Sequence, residues 1–218
     1  MKTFARMLIV NIVVLIVLIG AGFTGYYFYN QSANYIKTDN AQIDGQMITV
    51  AAPMNGKLTD WNGEVGKAYD TNDTLGTIEG ASDTGGKMKM DIKLPKQATI
   101  VKQDAVKDSF VAAGTPLAQA YNMDNLWVTA NIDENAINDV EKGQKVDIYV
   151  DAYPNQTLEG KIDQIGLTTA GTFSVMPSSN SNGNYTKVKQ VIPVKISIND
   201  YKGVNLKPGM NVTVKIHK

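Results

Sequence analysis

The sequence predicts an all-β protein with one N-terminal transmembrane helix, a β-sandwich made of two similar halves, and an antiparallel β-barrel. Three observations lead to this fold class. One pattern of short strands occurs twice between Met47 and Tyr121. Further runs of alternating apolar residues follow it as far as Ile216. A charge-free stretch near the N-terminus is long enough to cross a membrane.

That charge-free stretch covers residues 7–29, where Asn11 is the only strongly polar residue before Thr24. A helix of this length spans about 34 Å, enough to cross a hydrocarbon core of about 30 Å. Lys2 and Arg6 precede it, so the positive-inside rule predicts that residues 1–6 are cytoplasmic and that everything after the span is exported. Asn11 either contacts another membrane helix or is tolerated as a single amide.

A cleaved signal peptide is the alternative for the same stretch. Its apolar core is usually about 7 to 15 residues long, which is shorter than the stretch found here. Ala21 and Gly22 resemble a cleavage site. The length nevertheless favours an uncleaved anchor.

Residues 30–45 are predicted to form a polar connector and the first barrel strand. The connector runs from Asn30 to Lys37. The sequence TDNAQIDG then places Ala41 and Ile43 on one face of a short strand.

Residues 46–121 are predicted to form the sandwich. In each copy of the repeat, a strand ends at a proline, Pro53 or Pro95, where the missing N–H costs no ladder bond. A second strand, a V-x-x-x-Y/F step and a closing strand follow. Because a small isolated sheet is marginal in water, the two copies are expected to pack on each other. The small and polar residues 80–87 predict a short loop between them.

Residues 122–218 are predicted to form the barrel, because they contain several short alternating runs separated by turn signals. Asp133 is predicted to cap a brief helix that Gly143 ends. The Ser-, Asn- and Gly-rich stretch 168–186 is predicted to be a long loop with an apolar centre at residues 173–176.

The composition excludes several classes of function. The chain carries 21 basic and 21 acidic side chains, so no basic field indicates a nucleic acid partner. It contains no cysteine and a single histidine, His217 near the C-terminus, which is expected to be a surface residue. Thiol nucleophiles, thiolate metal sites and a Ser-His-Asp triad are therefore excluded. We predict no catalytic residue, no cofactor and no metal site, and hence no enzyme.

Taken together, these segments resemble the HlyD family of membrane fusion proteins, or periplasmic adaptors, and most closely its EmrA-type branch. The likeness is carried by TDNAQIDG, by a split sandwich of the lipoyl/biotinyl type, by DNLWVTANIDENAINDVEKGQ and by LKPGMNVTVKI. The stretch AGTFSVMPSSNSNGNYTKVKQVIPVKI discriminates best, because a generic β-barrel has no reason to carry it.

The chain departs from that family at one place. Members that reach an outer-membrane channel insert a long α-helical hairpin between the two sandwich halves, where this chain has only residues 80–87. Fully extended, these residues reach under about 30 Å, at about 3.5 Å each. The departure indicates a cell with a single membrane, or else an engineered deletion of the hairpin.

Lys89 lies in a Met-Lys-Met triplet, which biotin carriers of the same fold place at the tip of a hairpin. Here a loop precedes the triplet, and Met90 begins the alternation of a strand. The predicted export also separates Lys89 from the cytosolic ligase. A biotinyl-lysine is therefore considered and rejected, and a solvated strand lysine is preferred.

Other candidate sites have simpler interpretations. The run from Asp70 to Asp73 resembles part of a calcium loop but lacks its spaced ligand set, so a turn is preferred. Asp133, Glu134 and Glu141 fit a helix cap and a solvated face better than paired acid–base groups. Trp127 is expected to pack in a core or interface, whereas packing and ligand binding are equally plausible for Trp61.

The resemblance implies an adaptor subunit of a multidrug or toxin efflux system in the cell membrane. It implies a major-facilitator-type transporter as partner, a ring of copies that is commonly six-fold, and lipid contact through the N-terminal helix. The alternatives are an adaptor for an ATP-driven exporter, a biotin or lipoyl carrier of a membrane enzyme complex, and a surface binding protein without a transporter. Partner-contact residues are not predicted.

Overall fold

The computed structural model describes residues 2–81, 86–173 and 189–218. Within these ranges the chain forms one α-helix, α1, and twelve β-strands. In chain order the elements are α1 (Lys2–Asn34), β1 (Tyr35–Ala51), β2 (Gly56–Trp61), β3 (Ala68–Tyr69), β4 (Thr74–Ala81), β5 (Lys87–Lys93), β6 (Ala98–Gln103), β7 (Phe110–Val111), β8 (Pro116–Asp133), β9 (Lys145–Val150), β10 (Thr157–Ile165), β11 (Val191–Ile198) and β12 (Asn211–His217).

The helix α1 is longer than the sequence predicted. It continues through most of the expected connector to Asn34, and β1 begins at the next residue. The reason is that no glycine or proline lies between Asn30 and Tyr35 to end the helix. Judged on the described residues alone, no helix is long and apolar enough to cross a bilayer. The membrane span therefore stays a prediction.

The chain divides into two compact units, and the strands β1 and β8 contribute to both. One unit, the barrel unit, consists of residues 1–41, 129–202 and 211–218. The other, the sandwich unit, consists of residues 42–128 and 203–210. This architecture confirms the prediction of an all-β fold with a sandwich and a barrel.

In the barrel unit, the strands pair in the order β1, β12, β9, β10, β11 and β8, and β1 also pairs with β8. The order therefore closes on itself. The pairs β9–β10, β9–β12 and β10–β11 are antiparallel, which places Ile148 opposite both Leu158 and Val214. These three side chains are fully buried. Their alternation with exposed neighbours gives the unit its apolar interior.

The sandwich unit has two layers. One is a four-stranded sheet in the order β5, β4, β2 and β7, and the other contains β8, β6 and β3. The strand β2 of the first half pairs with β7 of the second, and β6 of the second pairs with β3 of the first. Each half thus completes the sheet of the other. Side chains from both halves, among them Leu58, Leu75, Ile92, Ile100 and Leu117, form a single buried core.

Between Asp133 and Gly143 the predicted helix is wrong. The chain makes a turn and a single 3₁₀ segment, Ile137–Asp139. Ala136 precedes this segment without a side-chain cap, and Val140 is already extended. So short a stretch cannot offset the cost of nucleating an α-helix. Gly143 does occupy the left-handed region expected of a terminator, with φ of 92°, and donates to the Ile162 carbonyl.

Both predicted loops contain some regular secondary structure. The loop predicted at residues 80–87 is shorter than expected, because β4 extends to Ala81 and β5 already begins at Lys87. In the predicted loop at 168–186, residues 170–173 form a 3₁₀ segment. The remainder of its apolar centre lies outside the described residues.

Candidate functional site

The hairpin of β4 and β5 carries the Met88-Lys89-Met90 triplet. Lys89 lies within β5, directly opposite Glu79 of β4, rather than at the tip of the hairpin. Its Nζ is 3.8 Å from Glu79 Oε2, and Lys87 Nζ is 2.6 Å from Glu79 Oε1. The geometry is that of a strand lysine beside a carboxylate. The rejection of a biotinyl-lysine at this position stays a prediction.

Charge on this hairpin is concentrated at Glu79. The hydrogen bond from Lys87 is the main cause that lowers the pKa of the Glu79 carboxyl, and the nearby Lys89 and Lys57 charges add to it. The same hydrogen bond raises the pKa of Lys87. The Glu79 side chain is 22% exposed, whereas that of Lys87 is 83% exposed. Glu79 therefore stabilises the turn end of the hairpin by holding two lysines of β5 against β4.

The apolar face of the same hairpin is only partly covered. Met88, Met90 and Ile92 alternate along β5 and so lie on one face of the strand. Ile92 is 2% exposed, but Met90 and Met88 are 36% and 39% exposed. The apolar face thus continues beyond the buried core of the sandwich.

The V-x-x-x-Y/F steps of the repeat end differently in the two halves. Tyr69 is buried, and its hydroxyl donates to the Asn62 carbonyl at 2.7 Å and accepts from the Glu64 N–H at 2.9 Å. Phe110 ends the second step and is 84% exposed, because strand register places Val111 at the position that Tyr69 occupies in the first half. The valines that open the two steps, Val65 and Val106, are also exposed.

The exposed Phe110 is bordered by ion pairs. Its strand partner Lys57 bonds to Asp108 at 2.7 Å, and Lys107 bonds to Asp60 at 3.3 Å. These hydrogen bonds are the main causes that lower the pKa values of the Asp108 and Asp60 carboxyls. An apolar side chain inside a polar rim is the arrangement found at protein interfaces. We call this surface, defined by Lys57, Asp60, Lys107, Asp108 and Phe110, the Phe110 surface.

The sandwich unit also contains a cleft of about 820 Å³. It is bounded by β1, the turn at Val65, β6, the middle of β8 and residues 205–209. Tyr121 and Lys207 are among its lining residues. Sequence reasoning missed this cleft, since its lining residues are far apart in the chain.

Both tryptophans lie on strands of the sandwich unit. Trp61 ends β2, packs against the sandwich core and donates from Nε1 to the Gly63 carbonyl at 2.9 Å. A structural role therefore accounts for its position. Trp127 is half-buried on β8 and has a partner within the fold.

His217 is not the plain surface residue that the sequence suggested. Its Nε2 lies 2.9 Å from Asp147 Oδ2, and its ring meets the edge of Tyr35 at a centroid distance of 5.0 Å. Lys215 Nζ lies 3.7 Å from the centroid of the same Tyr35 ring. The pairing of β12 with β9 on one side and with β1 on the other brings these residues together, and sequence spacing gave no sign of it.

The remaining acidic candidates do not form one site. Asp133 pairs with Lys189 at 3.7 Å, and the Glu134 N–H donates to the Gln190 carbonyl. In the run from Asp70 to Asp73, the Asp73 carboxylate accepts from the Asp70 N–H at 2.8 Å, as in a turn. Among the described residues, no group of three or more acidic or histidine side chains is placed to hold a metal ion.

Known protein families account for both units. The YhbJ barrel-sandwich hybrid domain family matches residues 46–122, and the YknX-like β-barrel domain family matches residues 126–216. A barrel-sandwich hybrid joined to such a barrel defines the class of membrane fusion proteins, the adaptors of efflux systems.

Relatives and solved structures agree with this class. YhbJ of Bacillus subtilis (strain 168), whose name provisionally assigns it to an efflux system, is 44% identical over 97% of this chain and 92% of its own length. The colistin resistance protein EmrA of Acinetobacter baumannii is 40% identical over 50% of this chain but only 31% of its own length. The matched region thus spans about a third of the EmrA-type relatives.

Two solved structures show the same fold. MacA from Actinobacillus actinomycetemcomitans aligns with a TM-score of 0.64, at 14% identity, over 84% of this chain and 79% of its own. The periplasmic adaptor EmrA aligns with a TM-score of 0.53, at 11% identity, over 85% of this chain and 99% of its own.

The chain belongs to the HlyD family of membrane fusion proteins and is EmrA-like within it. Proteins of this family are non-enzymatic adaptors of efflux systems. Family membership therefore confirms the prediction that the chain is not an enzyme.

Proposed function

We propose that this chain is the membrane-anchored adaptor of a multidrug or toxin efflux system that acts across a single membrane. The observation that carries the proposal is the short connection between the two halves of the sandwich. The strand β4 ends at Ala81 and β5 begins at Lys87, so no tunnel-forming hairpin can lie between them. An adaptor of this size can cover the outer mouth of a transporter but cannot bridge a periplasm.

The anchor in this proposal is α1. All described side chains from residue 11 to residue 27 are exposed, including Leu18 at 64% and Phe23 at 77%. Apolar side chains exposed all around a helix fit a lipid environment better than water. With Lys2 and Arg6 at the start of α1, its N-terminus would be cytoplasmic and both β units would lie outside the cell.

The partner in this proposal is a transporter of the major facilitator type, which supplies the energy for export. The adaptor would form a ring of copies, six in the simplest case, and the Phe110 surface would contribute to contacts between copies. An exposed aromatic side chain within a polar rim supports that assignment. An ATP-driven exporter is the alternative partner.

Co-purification from the native membrane tests the proposal. The full-length chain with a C-terminal tag would be extracted in mild detergent, and the proteins recovered with it identified by mass spectrometry. We expect a multi-span major-facilitator transporter in stoichiometric amount. An ATP-binding exporter in its place would assign the alternative partner, and consistent recovery of no transporter would count against an adaptor role.

A matched pair of variants tests whether the Phe110 surface contributes to contacts between copies. Phe110→Ser removes the exposed aromatic from the Phe110 surface, whereas Val106→Ser removes an apolar side chain at a neighbouring exposed turn. Chemical cross-linking in membranes should yield higher oligomers from the unmodified chain and from Val106→Ser, and fewer from Phe110→Ser. A streptavidin blot of the same preparation separates a biotin carrier from an adaptor, since only a biotinylated Lys89 gives a signal.

A further inference from the structure

The cleft of the sandwich unit has the dimensions of a small-molecule site. Its volume of about 820 Å³ falls within the range of about 300–1,000 Å³ that is usual for such sites. Its lining residues all belong to the sandwich unit. The cleft therefore lies within a single compact unit.

Most of the side-chain surface offered by the cleft is apolar. Ile100 and Leu206 are buried, Tyr121 and Met123 are half-buried, and Val65 is 60% exposed at the edge. The cleft is thus closed by core residues on one side and open to solvent on the other. This gradient suits the apolar body of a ligand that enters from water.

The backbone around the cleft is largely satisfied by the fold itself. The Ile100 N–H donates to the Lys67 carbonyl, and the Ile100 carbonyl accepts from the Gly66 N–H. Ile43 makes the equivalent pair with the Met210 carbonyl and the Gly209 N–H. Strand-like pairing with a peptide is therefore not available at these residues, and a ligand would be recognised mainly by side chains.

Gly45 allows the Tyr121 ring, which lines the cleft, to pack closely against β1. A Cβ at Gly45 would lie 3.2 Å from Tyr121 Cδ1 and 2.7 Å from Leu126 Cδ2. The absence of a side chain lets the Tyr121 ring lie close against the backbone of β1. Tyr121 therefore presents a fixed apolar surface to the cleft.

Two charged residues, Asp44 and Lys207, line the cleft, and they differ in the contacts that their side chains make within the fold. Asp44 accepts from the Gly45 N–H at 2.8 Å and has a further interaction within the fold. Lys207 is exposed, and its ammonium group makes no hydrogen bond, ion pair or ring contact with any residue that the structure describes. The cleft thus combines an apolar interior with one available cation.

We propose that this cleft binds a small anionic amphiphile. The apolar body would contact Ile100, Tyr121 and Leu206, and the carboxylate, sulfonate or phosphate group would pair with Lys207. The inference goes beyond the adaptor role, because it assigns ligand recognition to this chain itself. It does not require a transporter, so its failure and that of the proposed function can be told apart.

Photoaffinity labelling of the full-length chain in nanodiscs of neutral phosphatidylcholine tests the inference. The probe is dodecanoate with a diazirine near the end of the chain, and its methyl ester and trimethylammonium analogue are the charge controls. We expect labelled peptides from residues 99–101, 121–123 and 205–209, competed by unlabelled dodecanoate. The two analogues should label these peptides on the order of tenfold less, because a charge-assisted contact is lost.

Single substitutions test whether the Lys207 ammonium group contributes to ligand binding. Lys207→Gln should lower labelling by about tenfold, and Lys207→Arg should retain it. Lys96→Gln is the matched control, since Lys96 is likewise an exposed lysine of the same unit with no described side-chain partner. Val65→Glu adds a carboxylate at an exposed edge of the cleft and should also lower labelling without disturbing the core.

Three results would overturn the inference: equal labelling by the ester, an equal effect of Lys207→Gln and Lys96→Gln, or labelling confined to α1. Nanodiscs that contain phosphatidylglycerol distinguish the source of the ligand. Competition by this lipid at the cleft would support an anionic headgroup as the occupant. Undiminished labelling would support a free amphiphile.

Discussion

Tyr69 and Phe110 end the same V-x-x-x-Y/F step in the two halves of one repeated unit, yet Tyr69 is 8% exposed and Phe110 is 84% exposed. The difference follows from strand register. Tyr69 lies opposite Ala98, which begins β6, whereas Val111 and not Phe110 lies opposite Gly56, which begins the corresponding strand β2. The Tyr69 hydroxyl is held by the backbone of residues 62–64, whereas a phenylalanine has no group that such a loop could hold. A one-residue difference between the two halves thus leaves one aromatic in the core and the other exposed to solvent.

Phe110→Ser should leave stability nearly unchanged, because the side chain buries little area in the isolated chain. We expect a change in the free energy of unfolding within about 0.5 kcal/mol. Urea denaturation of the detergent-solubilised chain measures it. A large loss of stability would mean that Phe110 packs within the fold and does not serve as a contact residue.

Tyr69→Phe should be destabilising although it removes only one oxygen. The Glu64 N–H would lose its acceptor and the Asn62 carbonyl its donor, which costs about 1–3 kcal/mol for partly buried groups. The same urea titration checks this value. Phe110→Tyr is the control, since a hydroxyl added at an exposed ring should change stability little.

Gly56→Ala should destabilise the sandwich unit by about 2 kcal/mol or more. A Cβ at Gly56 would lie 2.5 Å from the Glu79 carbonyl oxygen and 2.7 Å from Ile78 Cγ2, so the β2–β4 pairing would have to shift. Thermal unfolding followed by circular dichroism measures the loss. Ala98 begins the corresponding strand of the second half, and Ala98→Gly should have a smaller effect. Equal effects at the two positions would contradict this explanation.

Acid should weaken the β4–β5 hairpin through Glu79. Its pKa is lowered from the ordinary value of 4.5, chiefly by the hydrogen bond from Lys87. The folded state therefore binds this proton less readily than the unfolded state, so the stabilisation is present above about pH 4.5 and is lost as the pH falls below it. Amide hydrogen exchange of β5 should increase in this range.

Glu79→Gln removes the titrating group and should flatten that dependence. A high salt concentration should also reduce the pH dependence of β5 exchange, though less than Glu79→Gln does. Salt screens the ion pairs of Glu79 because the lysine partners are exposed. Asp91→Asn, at a neighbouring position of β5, is the control. An unchanged pH dependence in Glu79→Gln would show that another carboxyl is responsible.

Much of this protein could be read from periodicity. The alternation of apolar residues identified the strands, and the repeated pattern ending at Pro53 and Pro95 identified a sandwich of two similar halves. These signals are local, because the side-chain period of a strand and the conformation of proline do not depend on distant residues. The failed helix after Asp133 shows the limit, since a few favourable residues cannot offset helix nucleation.

The sequence by itself determined the all-β class, the absence of thiol and triad chemistry, and the short connection between the sandwich halves. Only the tertiary structure decided that Phe110 is exposed while Tyr69 is buried, that His217 meets Asp147, and that Lys207 stands beside the cleft. The physical reason is that these relationships join residues far apart in the chain. They depend on strand register and close packing, which no local pattern encodes.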